Sequence, residues 1–403
     1  MEKQDFYRHA RHDKTGPYDG LVVIEVTTSW AGPMAGCLLA DFGARVIKVE
    51  HPMGEVMRRL PLGFPGSKLM IQHETVNRNK QNVSLNLQTP AGREVFLKLC
   101  AKADVVIENF RPGTLSSWGV GYGDVAKIKP DIVYVSISGF GQFGPLSDRA
   151  CYDPIAQSYC GWTSLNGDPD GGPMKAPTFL GDDLAGLHGA LGAMAALRHR
   201  DQTGEGQHVD VSLIDSLLHT SNGHLTAGAL GLPIPKTGNE YLMATPVNEY
   251  RCTNGHVFTG MLLDSHWAVL APLMGHPELA HMKVPERLAR RAEVNRLVSE
   301  WCSHQTVESV VETLAAHGIA ATRINTFQDV AGEAHVAARD MLQTVRLSDG
   351  TEAPLTGPSI KFSRTPTRIR NAAPPVGQHN AEILAELGYS QAEIERLISE
   401  QRN

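Results

Sequence analysis

Two adjacent acids, Asp182 and Asp183, stand where an extended, proline-led segment, Pro177-Thr-Phe-Leu-Gly181, gives way to a glycine-rich run. In that run Leu184, Leu187, Leu191 and Met194 recur at helical spacing. Gly186, Gly189 and Gly192 bare one flank, so another backbone can come close. An aspartate at the mouth of a helix has two ordinary uses. It caps the helix, its carboxylate accepting from a free backbone N–H, or it is kept ionised by the helix dipole and serves as a nucleophile. Residue type alone leaves both open. Being neighbours, Asp182 and Asp183 share no face, so they are not a glycosidase-type acid/base pair; a pair made with a distant acid stays open.

Other patterns with chemical precedent fall away on context. Gly139-Phe-Gly-Gln-Phe-Gly144 matches GxGxxG after a strand, but Pro145 and polar residues follow where a dinucleotide site needs a helix to begin. It also follows the fourth strand rather than the first. Glu50 ends the second strand as a ribose-binding acid would, yet the first turn, Thr28 to Pro33, lacks the required glycines. There is no GxSxG elbow. No HExxH and no CxxC pair occurs, so no metal is expected.

The elements that must carry Asp182 alternate between strand and helix. Strands are expected at 21–27, 45–50, 104–109, 131–138 and 208–212, each rich in β-branched residues. Helices are expected from Pro33, at its first position, to Phe42, then at 90–101, at 124–128 and after Asp182. Such alternation predicts an α/β, Rossmann-like open parallel sheet covered on both faces. From about residue 230 the pattern changes. A turn-rich connector leads to a hairpin, 249–253 and 256–259, joined at Asn254-Gly255. Helices at 267–273, 289–304 and 306–317 complete a smaller α+β domain. Two short amphipathic helices close the chain, 381–387 and 391–401, the second opened by a Ser390/Glu393 capping box. They are too short to stand alone and should dock on the first sheet. The expected division is an N-terminal solvated arm, 1–20, a large domain from 21–229 and 331–403, and a small domain, 230–330, placed between its two halves.

The totals set limits. The chain has 403 residues, 42% hydrophobic and 20% charged, with net charge −6, a profile that argues against nucleic acid as a partner. No apolar run reaches the ~20 residues of a membrane span, and the first residues lack the apolar core of a signal peptide. The six cysteines form no paired spacing and several lie in apolar surroundings, as free thiols of a cytoplasmic protein would.

An ordered set of motifs then carries a resemblance. It comprises Trp30-Ala-Gly-Pro33, Leu39-Ala-Asp-Phe-Gly-Ala-Arg-Val-Ile-Lys-Val-Glu50, Asn77-Arg-Asn-Lys80, and Ala103-Asp-Val-Val-Ile-Glu-Asn-Phe-Arg-Pro-Gly113. Ser136 to Pro145, Tyr152-Asp153, Gly181-Asp182, Gly377-Gln-His-Asn380 and Glu386-Leu-Gly-Tyr389 follow. From about Leu21 to Leu397 the chain resembles the class III CoA-transferases, the formyl-CoA transferase and carnitine CoA-transferase group. The resemblance implies a large domain built from both chain ends, an interlocked homodimer (or a heteromer with a homologue), and Asp182 as the catalytic residue. It implies coenzyme A or acyl-CoA as substrate, a carboxylic acid as acceptor and no tightly bound cofactor. It puts CoA against Trp30, Ala31, His51, Leu85, Asn86, Asn109, Phe110 and Arg111, with Tyr152 and Asp153 along the path to Asp182. Two positions depart from the pattern: His51 and Ser117 stand where relatives often carry Arg. The racemases among the relatives, which act on 2-methylacyl-CoA, have His-Asp where this chain has Tyr152-Asp153. Tyrosine, with a pKa near ~10, suits proton transfer poorly, so racemisation ranks second and a role as partner subunit third. The glycine-rich lid of some relatives is not found between Glu240 and Tyr250. Arg323, where relatives often have proline, is offered as a contact for a substrate carboxylate.

Overall fold

The protein is described by a computed structural model covering residues 1–400. Six strands form one parallel sheet: β1 (Val22–Val26), β2 (Arg45–Glu50), β3 (Lys80–Ser84), β4 (Val105–Glu108), β5 (Val133–Ser138) and β6 (Gln207–Ser212). Their order is β3-β2-β1-β4-β5-β6, with Ile24 beside both Ile47 and Val106. This is the doubly wound order, in which the chain reverses direction of travel between β1 and β4 and opens a crevice there at the carboxyl ends of the strands.

Alternation along each strand sends residues to two cores. Val23, Val46, Val105, Ile107, Val133 and Val135 face the helices Ala31–Asp41 and Leu180–Thr203. Ile24, Ile47, Val83, Val106 and Tyr134 face Pro90–Cys100, Tyr122–Ile128 and the tail helices, through Ile383, Leu384, Ile394 and Leu397. The tail therefore docks on the sheet as expected. Its helices are Asn380–Glu386 and Gln391–Glu400, and Gln401, expected to end the second, lies outside the described residues. Ser390 and Glu393 cap each other: the Ser390 N–H donates to Glu393 Oε2 at 2.8 Å.

β3 was not anticipated. Its sequence, Lys80-Gln-Asn-Val-Ser84, has one apolar residue, yet Lys80 and Asn82 are buried. Lys80 Nζ lies 2.6 Å from Glu25 Oε2, and Lys48 Nζ lies 3.1 Å from Glu25 Oε1. Burial alone would push the Glu25 carboxyl up; the two lysines outweigh it and hold it below the usual range. Asn82 donates to Glu50 Oε2 at 2.6 Å. Its carbonyl and amide oxygens accept from the His379 and Gly377 N–H groups, at 3.0 and 2.6 Å. The Gly377–Asn380 motif is thus the covering of an edge strand.

Other differences are local. The Ala31–Asp41 helix begins two residues before Pro33, which sits third; its missing N–H is still one that has no intrahelical acceptor. The arm at 1–20 is largely exposed but tied down, Lys3 to Asp340 at 2.6 Å and the Arg11 N–H to the Arg364 carbonyl at 2.7 Å. A hairpin of β10 (Leu342–Arg346) and β11 (Glu352–Thr356), flanked in the sequence by the tail, was not foreseen.

The chain divides into two units. The first comprises 1–162, 175–226 and 334–403; the second comprises 163–174 and 227–333. The second holds a three-stranded antiparallel sheet, β7 (Val247–Cys252), β8 (Gly255–Gly260) and β9 (Ala321–Arg323), packed with helices around Trp267, Leu270, Val298 and Val310. Its hairpin turns one residue earlier than expected, because Gly255 pairs with Cys252. Asn254 is drawn off to accept from the Val307 N–H at 2.8 Å at the start of the next helix.

Candidate active site

The helix Leu180–Thr203 starts before Asp182, which is its third residue. Asp182 is therefore not the cap. That task falls to Asp153, the first residue of the helix Asp153–Tyr159, whose buried carboxylate accepts from the Gly181 N–H at 2.7 Å. Gln157 Nε2 donates to its other oxygen at 2.7 Å. The first intrahelical bond runs from the Asp183 N–H to the Phe179 carbonyl, at 2.8 Å. The N–H groups of Leu180 and Asp182 find no acceptor among the described residues.

The ionised state expected from the helix dipole is opposed here. Burial, then the nearby Asp153, then Asp183 push the Asp182 carboxyl up to about 7. Asp183 is also raised, by burial, although Trp30 Nε1 donates to its Oδ1 at 2.6 Å. Trp30 meets the ring of Phe179 edge-on, centroids 5.4 Å apart. The first helix and the Asp182 helix are so close that a Cβ on Gly186 would lie 2.8 Å from Met34 Cβ.

Asp182 opens into a cleft of about 250 Å³ on the carboxyl edge of β1, β4 and β5. Trp30, Ala31, Asn109, Phe110, Arg111 and Tyr152 line it with Asp182. A second cleft, about 310 Å³ and largely apolar, lies over β1, β2 and β3; His51, Leu85, Asn86 and Phe110 line it. Thr28 and Phe110 belong to both walls, so the two clefts adjoin at the switch point between β1 and β4. Of the residues expected against CoA or along its path, Asp153 lines neither, and neither does Arg323.

Several of these side chains hold the walls. Asn109 brackets Thr28, accepting from its N–H at 2.9 Å and donating to its carbonyl at 2.7 Å. Phe110 packs edge-on against Trp118, centroids 5.5 Å apart. His51 Nδ1 accepts from the Met53 N–H at 3.2 Å, Asn86 Oδ1 accepts from the Gln88 N–H at 3.0 Å, and Ser117 Oγ donates to the Thr114 carbonyl. Tyr152 is 73% exposed at the mouth. Two supports were not anticipated. Glu55 Oε2 accepts from the N–H of Ser29 at 2.8 Å, holding that non-glycine residue at φ 64°. Glu108 Oε2 accepts from the Phe110 N–H at 2.8 Å, and burial raises its carboxyl to about 7. An acid closing an apolar strand, as Glu108 does, was the available signal.

Arg323 does not offer a free cation: Glu308 pairs with it, and it donates to the Asn254 carbonyl at 3.3 Å. All six cysteines are free thiols. Among the described residues no three His, Cys, Asp or Glu gather as a metal would require, and no helix is long and apolar enough to cross a membrane.

Residues 18–380 match the model of CoA-transferase family III. The chain is 38% identical over 393 residues to the succinyl-CoA–L-malate CoA-transferase beta subunit of Chloroflexus aurantiacus, covering 93% of this chain and 94% of that one. It is 34% identical over 379 residues to the succinyl-CoA–D-citramalate CoA-transferase of the same organism, covering 92% and 94%. Among solved structures, a CAIB/BAIF family protein from Brucella suis superposes with a TM-score of 0.83 at 33% identity, over 93% of this chain and 100% of that one.

Proposed function

We propose, from the premise that the chain belongs to CoA-transferase family III, that it moves CoA from an acyl-CoA thioester to a free carboxylic acid by covalent catalysis at Asp182. The observation that carries this reading is the placement of one half-buried carboxyl, poised at about 7, where the cleft at the switch point opens. A carboxylate cannot take CoA directly, since its oxygen is too poor a leaving group. Asp182 Oδ attacks the donor carbonyl and expels CoA thiolate, giving an aspartyl–acyl anhydride. The thiolate attacks the aspartyl carbonyl and releases the donor acid, leaving an aspartyl-CoA thioester. The acceptor carboxylate attacks that carbonyl and expels thiolate, giving a second anhydride. Thiolate attack on its acceptor carbonyl yields the new acyl-CoA and free Asp182. Each step exchanges one leaving group for another of usable quality. The free N–H groups of Leu180 and Asp182 would serve as donors to the tetrahedral oxyanions, and burial would limit the water that could hydrolyse the anhydride.

In this reading CoA lies along the carboxyl edge, its body in the apolar cleft with His51, Leu85 and Asn86. Phe110 and Trp30 sit where the thioester passes; Ala31, Asn109, Arg111 and Tyr152 line the way, and Asp153 sets the helix mouth. The large domain (21–229 with 331–403) would carry all of this, and 230–330 the small domain. Racemisation stays second: none of the described residues around Asp182's cleft is a histidine. We further infer a cytoplasmic, interlocked homodimer, with a heteromer as the alternative, since one named relative is a beta subunit. Supporting an assembly, α-helical Leu187 and Leu191 are 45% and 60% exposed on the Asp182 helix.

The test is mass spectrometry of protein incubated with acyl-CoA and then hydroxylamine. Asp182 should carry the label, and Asp182→Asn should lose transfer by about a thousandfold or more. Undiminished transfer by that variant refutes the mechanism. Deuterium entering the substrate α-carbon without any acceptor acid would select the racemase, and activity regained only with a homologous subunit would select the heteromer.

A further inference from the structure

We propose that Arg149 reads a second, non-reacting carboxylate, so that the acid handled at Asp182 is a dicarboxylic one. The inference rests on the transfer reading above. Arg149 follows β5 and lines the Asp182 cleft. Among the described residues its guanidinium meets no ion-pair or hydrogen-bond partner, while its backbone N–H donates to the Leu146 carbonyl. By contrast Arg45, Arg58, Arg78, Arg287 and Arg323 all spend their charge on carboxylates of the chain.

Electrostatics asks for such a cation. Asp153, Asp182 and Asp183 crowd the helix mouth, and their mutual repulsion is part of why Asp182 is raised. An anionic acid entering that cleft is repelled unless a positive group offsets the field. Strand order separates Arg149 from Arg111, which also lines the cleft. Arg111 follows Phe110, which borders the apolar cleft over β1, β2 and β3. Arg149 follows β5, on the side of β4 away from that cleft. A CoA whose body fills the apolar cleft reaches Asp182 from the Arg111 side and leaves Arg149 to the acyl group. The reacting carboxylate loses its charge on becoming anhydride or thioester, so a cation gripping it would stabilise the ground state and slow the reaction. A carboxylate that keeps its charge throughout is the fitting partner for a planar guanidinium fork.

The test uses the full-length protein, one acyl-CoA donor, and succinate and butyrate as acceptors of equal carbon count. Arg149→Ala should lower the succinate-to-butyrate ratio of kcat/KM at least ~tenfold, through KM for succinate. Arg149→Lys, which keeps the charge without the fork, should recover part of it. A ratio that does not move, or a wild type that prefers butyrate, overturns the inference. Donor thioesters of pantetheine, which lack the nucleotide phosphates, distinguish the other anion source. If the Arg149→Ala effect vanishes with them, the residue reads a CoA phosphate and the inference falls. Titration calorimetry with succinate alone separates this idea from the transfer reading. Succinate binding that Arg149→Ala weakens supports the inference even if no CoA moves; binding that is absent, or indifferent to the substitution, sinks it.

Discussion

In the proposed reaction Asp182 would act as a nucleophile only when ionised, and its surroundings place that event at about 7. With the carboxyl raised, the protonated and inert form dominates below that value, and the ionised fraction is roughly a tenth one pH unit beneath it. The kcat/KM profile, which reports free enzyme, should therefore rise with unit slope through about pH 7 and level off above. Asp183→Asn keeps an oxygen for Trp30 while removing a negative neighbour, so the same limb should move to lower pH. A limb that stays in place would mean burial and Asp153 alone set the value. The raised carboxyl was not visible in the sequence, where a helix-mouth aspartate reads as a cap or as a carboxylate kept ionised by the dipole. Only the fold shows that Asp153, 29 positions earlier, does the capping.

At the scale of elements, the close crossing of the helices Ala31–Asp41 and Leu180–Thr203 sets the height of Asp182 above the sheet. Gly186 permits that approach. Gly36, on the first helix, permits another: a Cβ there would lie 1.8 Å from Glu25 Oε2. That oxygen cannot step aside, because Lys80 holds it and Lys48 holds its partner. Gly36→Ala should destabilise the fold by about 2–4 kcal/mol, from overpacking and a strained buried ion cluster, read as a lower urea midpoint. Gly66→Ala, with open space around it but a left-handed φ of 75°, is the control for backbone strain alone.

At the scale of the molecule, a parallel sheet is ordinarily covered on both faces, yet the edge strand β6 leaves Gln207, His208 and Asp210 exposed, and the helix Leu180–Thr203 leaves Leu187 and Leu191 exposed. The proposed dimer would cover exposed surface of this kind. Light scattering should then give twice the 43.7 kDa of one chain. Leu191→Glu should shift the species toward one chain without changing the helical signal in circular dichroism. A wild-type monomer at micromolar concentration would remove the assembly from the account.

Local pattern was enough for the fold class, five of the six sheet strands and the docking of the tail, because each is written in the period or type of neighbouring residues; Asp182 was singled out as the catalytic residue only through the family resemblance. Strand β3 was hidden because its inward positions are polar, and a polar strand can be buried only when its charges meet partners from distant segments. Glu25, Glu50 and the tail loop supply them. The same reason governs the site: which carboxyl caps, which is raised, and which arginine stays unpaired depend on burial and through-space charge. These are properties of the assembled sheet edge, not of any stretch of chain.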